Sequence, residues 1–138
     1  MILLHGDRGW HAWVVRIAIV ALALATAYIH YILGGLLFLA NAAGYAGFAL
    51  LMAVPLKVAS RWRWVIRAGL IGFTVGTIVA WQLFGARFWL GYLDKGIELA
   101  LVVLLVLEMV HYDGGPLGVA KRAWRLGLDG ARRLAGHP

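Results

Sequence analysis

From Ile17 to Leu56 the chain runs 40 residues without one Asp, Glu, Lys or Arg. At about 1.5 Å per residue, an unbroken helix of that length would be close to twice the roughly 30 Å hydrocarbon thickness of a bilayer, so the segment must fold back on itself. Gly34 and Gly35 lie near its midpoint and Pro55 near its end, which predicts a tight hairpin of two helices over about residues 13–32 and 36–54. A second uncharged stretch of 19 residues, Ala68 to Ala86, predicts a helix within about residues 65–86. A fourth apolar segment, about residues 89–110, carries charges inside it.

Composition agrees with this reading. Of the 138 residues, 63% are hydrophobic and only 14% charged, against about 25% charged in soluble domains. A water-soluble fold of this size could not hide so much apolar surface. The expected fold is an all-α integral membrane protein: a bundle of four transmembrane helices over residues 1–112, followed by a basic amphipathic helix over 113–138. The absence of cysteine excludes disulfides, thiol redox chemistry and Cys-ligated metal centres.

Thirteen Lys and Arg outnumber six Asp and Glu, and the excess is one-sided. Arg8, Lys57, Arg61, Arg63 and the tail residues fall on one face of a four-span topology, with Arg16 and Arg67 at helix ends on that face, while Arg87 and Lys95 stand at the other. The positive-inside rule then predicts a multi-pass protein of the bacterial inner membrane with both termini cytoplasmic. Trp10, Trp13, Trp62 and Trp64 mark the inner border, and Tyr28, Tyr31, Trp81, Phe88, Trp89 and Tyr92 the outer one. A cleaved signal peptide is the rival reading of the N-terminus, with Ala25-Thr26-Ala27 as the cleavage site. Its n-region would be unusually long, so the segment is read as retained.

Small residues at four-residue spacing mark faces where helices approach closely in lipid. Gly72 with Gly76, Ala40 with Gly44, Ala43 with Gly47 and Ala21 with Ala25 have that spacing. Packing within the bundle is the expectation for them, with a homodimer seam as the alternative.

The fourth segment is the most informative. At 100° per residue, Asp94, Glu98 and Glu108 fall within about 80° of one another, so one helix face is acidic, while Lys95 projects about 100° from Asp94. Ionisable groups at membrane depth are costly, and this face should turn inward. By depth, the outer end gathers His30, Asn41, Asp94, Lys95 and Glu98, with Gln82 and Arg87 nearby. At the inner end, Glu108 should pair with Arg16 or Arg67. Tyr45, Thr74 and Thr77 are the polar groups between. The outer cluster has two readings: a self-satisfied network fixing helix register, or a proton, ion or small-ligand site in which Glu98 titrates and His30, Asn41 and Lys95 tune it.

Other chemistry finds little support. His30 and His111 stand at opposite ends of their spans, so they cannot together ligate a haem. His30 with Asp94 or Glu98 could hold a divalent cation, yet no HxxxH or ExxH pair exists, and no metal centre is expected. Ser60 is the only serine, and no catalytic triad or nucleotide-binding fingerprint is present. His5, His11 and His137 are expected to be exposed. No cofactor, no nucleic-acid partner and no family is assigned.

In the tail, Leu117, Ala120, Trp124, Leu128, Ala131 and Ala135 recur at helical spacing, and Lys121, Arg122, Arg125, Arg132 and Arg133 lie beside that stripe. This is the pattern of a helix lying on anionic lipid headgroups. The leading functional expectation is a non-enzymatic accessory or scaffold subunit of a larger membrane complex or homo-oligomer. The alternative is a small ion- or proton-coupled transporter or channel using Asp94 and Glu98.

Overall fold

The computed structural model of the chain describes residues 9–136; His5, Arg8 and His137 lie outside them. The described residues are helical, with no strand among them: α1 (Trp10–Leu33), α2 (Leu36–Ala53), α3 (Lys57–Arg61), α4 (Arg63–Phe84), α5 (Trp89–Asp113) and α6 (Gly115–Leu134). The expected hairpin break is present. Gly34 and Gly35 both adopt positive φ, 69° and 86°, a conformation open to residues without a Cβ, and they turn the chain with no further linker. Pro55 ends α2, and the five-residue α3, which the apolar pattern did not announce, leads into α4.

Three helices, α1, α2 and α4, are long and apolar enough to cross a membrane. The 25-residue α5 has the length but carries Asp94, Lys95, Glu98 and Glu108. α1 packs on α2 and α5, and α4 packs on α5 and α2, so the four long helices close a ring. Its centre is built from Ile19, Ala23, Tyr45, Ala49, Met52, Leu70, Leu101 and Leu105. Large apolar side chains such as Leu36, Phe84 and Trp89 point outward and are 75–88% exposed. An outer surface this apolar is compatible with a membrane protein.

The small residues do two different jobs. A Cβ at Gly44 would lie 2.5 Å from Cζ of Phe73, and one at Gly69 would lie 3.1 Å from the ring of Phe48, so these glycines admit α2 and α4 to close contact. Gly72 and Gly76 do not pack as expected. Nothing lies within 4 Å of a Cβ built at either, because they face an open cleft.

α5 ends at Gly114, which takes the left-handed conformation (φ 73°, ψ 26°), and Gly115 also has positive φ, so α6 leaves at an angle. α6 has one basic and one apolar side. Leu117 and Trp124 are 67% and 70% exposed, so the apolar side is largely uncovered.

Candidate functional site

The carboxylate face of α5 turns into the bundle. Asp94, Glu98 and Glu108 are 2%, 0% and 3% exposed, so helical periodicity placed all three correctly. Around Asp94 and Glu98 the structure brings together four ionisable groups from two helices. Lys95 extends from α5 and folds back, with Nζ 3.1 Å from Oδ2 of Asp94 and 2.6 Å from Oε2 of Glu98. Its flexible stem overrides the direction its Cα would suggest. From α1, His30 places Nδ1 3.7 Å from Oδ1 of Asp94 and Nε2 4.0 Å from Oε1 of Glu98.

Neutral hydroxyls complete the shell. Thr26 donates to Oδ1 of Asp94 at 2.5 Å. Tyr45 donates to Oε1 of Glu98 at 2.8 Å, and Thr77 lies 3.0 Å from the same oxygen. Tyr45 and Thr77 were legible as intermediate polar steps, whereas Thr26, a single threonine in an apolar run, was not. His30 Nδ1 sits 2.9 Å from the carbonyl of Thr26. A carbonyl only accepts, so this bond keeps a proton on Nδ1 and leaves Nε2 directed at Glu98.

Two carboxylates therefore face one ammonium in a region with almost no solvent contact. With a neutral imidazole, this group of four is one positive charge short of balance. A proton on His30 or on a carboxylate closes the gap, and so would a bound cation. His30, Asp94 and Glu98, the residues the sequence offered for a divalent cation, each present a ligand atom, all within 4.8 Å of one another. Lys95 already supplies positive charge to both carboxylates, so a divalent cation would have to displace its ammonium.

A cleft of about 680 Å³ opens beside the group. Asp94, Lys95, His30 and Asn41 line it on the polar side, which is where the structure places Asn41. Phe73, Trp81, Phe84 and Phe88 form much of its apolar wall. Gln82 and Arg87, expected near the carboxylates, instead engage each other at the surface: Arg87 donates to the Gln82 side chain at 3.3 Å and backbone carbonyl at 3.0 Å, and lies over Trp81.

At the other end of α5, Nε of Arg67 donates to Oε2 of Glu108 at 2.8 Å, and Nη1 of the same guanidinium bonds Asp113. Of the two arginines expected to serve Glu108, Arg67 does so, while Arg16 places its guanidinium 5.5 Å from the Trp13 ring centroid. Asp113 reads in the sequence as part of a helix break, and nothing local signals its pairing with Arg67. In α6, Lys121, Trp124, Arg125, Arg132 and Arg133 are exposed. Arg122 turns back toward the bundle, 3.4 Å from Asp113 and over the ring of Trp64. No protein-family model, curated protein or solved structure matches this chain.

Proposed function

We propose that the chain is a four-span integral membrane protein of the inner membrane, with α5 as its fourth span, that works as a small proton- or cation-coupled carrier or channel. The observation that carries this reading is the buried group of His30, Asp94, Lys95 and Glu98, two carboxylates around one ammonium with an imidazole beside them, bordering the cleft. A purely structural network has no need of an access route. A site that gains and loses a proton or a small cation needs one. Asp94 and Lys95 meet the cleft, Glu98 lies one step deeper, and Nε2 of His30 faces Glu98. This order suits passage of a proton from cleft to core.

The test is flux in proteoliposomes under an imposed pH or cation gradient. Wild-type protein should dissipate the gradient, and Glu98→Gln, which keeps the shape and the ability to accept from Tyr45, should not. Equal flux from the two would sink the proposal.

A second reading, an accessory subunit of a larger complex or homo-oligomer, draws support from the uncovered apolar side of α6. Mild-detergent purification distinguishes the two: a stable partner favours the accessory subunit, and a monodisperse single-component species that conducts favours the carrier.

A further inference from the structure

A second polar site lies at the opposite end of the bundle from the cleft, where α3 and the start of α4 meet the junction of α5 and α6. A pocket of about 100 Å³ is lined there by Arg61, Arg63, Arg67 and Arg122, with Asp113 as the acidic member of its wall. Ser60, Trp64 and Tyr112 complete the lining. Arg67 bonds both Asp113 and Glu108, and Arg122 bonds Asp113, so four guanidinium groups stand with two carboxylates around a space the size of a small anion.

Arg67 and Arg122 are held in place. Arg67 is 3% exposed and fixed by Glu108 and Asp113, and its guanidinium lies 5.6 Å from the Tyr112 ring centroid. Arg63 is 8% exposed. Arg122 is held by Asp113 on one side and Trp64 on the other, with its side chain 44% exposed. α6 therefore brings the Arg122 guanidinium into the pocket wall across the Gly114 turn.

We propose that this pocket binds a phosphate group. Planar guanidinium forks match the oxygens of a phosphate in pairs, and a converging set with net positive charge recognises the anion far better than scattered surface charge does. The phosphate of an anionic lipid headgroup and free inorganic phosphate share this chemistry. Bound phosphate would bridge Arg61 of α3 to Arg122 of α6 and so fix the angle at which the basic helix leaves the bundle.

The test titrates the full chain in detergent with short-chain phosphatidylglycerol, short-chain phosphatidylcholine and inorganic phosphate, following heat. Wild-type protein should bind phosphatidylglycerol more tightly than phosphatidylcholine. Arg61→Gln and Arg122→Gln should each weaken it about tenfold, the order expected for one charge-assisted hydrogen bond. Lys57→Gln removes the same charge from α3 outside the pocket and should leave binding unchanged. Inorganic phosphate bound with the same dependence on Arg61 and Arg122 would support the site with free phosphate as its occupant. No binding of either anion, or equal loss in Lys57→Gln, would overturn the proposal. Arg61 and Arg122 are exposed, so loss of folding does not complicate these variants.

Discussion

The phenolic hydroxyl of Tyr45 donates a 2.8 Å hydrogen bond to Oε1 of Glu98, joining α2 to α5 inside the bundle. Both residues are fully buried, and the carboxylate it serves is also the one that Lys95 reaches from the other oxygen. One side chain is thus held by a neutral donor and a cation at once. This relationship makes Glu98 the pivot of the polar group.

Lys95 supplies the sole cation within bonding distance of Asp94 and Glu98 among the described residues, apart from His30 when protonated. Lys95→Met should destabilise the bundle by about 3–5 kcal/mol, the usual cost of leaving a buried charge without its partner. Adding Glu98→Gln should recover much of that loss, because the second change removes the orphaned charge. Thermal or denaturant unfolding of the two single variants and the double measures the coupling. Strictly additive effects would show that the two side chains do not interact.

Gly44 of α2 and Gly76 of α4 should respond to alanine in opposite directions. Gly44→Ala drives a methyl group into the ring of Phe73 and should cost about 1–3 kcal/mol. Gly76→Ala meets open space in mid-helix and should stabilise by about 0.5–1 kcal/mol through helix propensity. Comparing their unfolding midpoints in one detergent checks both.

Arg67 joins α4 to Glu108 and Asp113 through two different nitrogens. Arg67→Lys keeps the charge but offers a single point of attachment, so it should restore only part of the roughly 3–5 kcal/mol lost in Arg67→Gln. Full rescue by lysine would mean that charge alone matters there.

Much of the architecture was legible in the sequence because it follows from periodicity and backbone chemistry. The Gly34-Gly35 turn, the stop at Pro55 and the inward face of Asp94, Glu98 and Glu108 all depend on local rules. What escaped was set by side-chain reach and by distant partners. Lys95 leaves the helix away from Asp94 and bends back to it. Thr26 gains its role only when α1 meets α5, 68 residues later. Depth alone could not choose between Arg16 and Arg67, and four-residue spacing could not say that Gly72 and Gly76 border a cleft. The same limit hid the arginine-lined pocket, whose arginines come from three separate helices.

The central claim, that the buried group works through the cleft, can be tested with a single thiol because the chain has no cysteine of its own. Gly76→Cys places one in open space on the cleft wall. Proteoliposomes carrying this variant should dissipate a pH or cation gradient as wild type does, and lose that activity once a bulky methanethiosulfonate reagent has modified the thiol. Complete modification with undiminished flux would contradict the account.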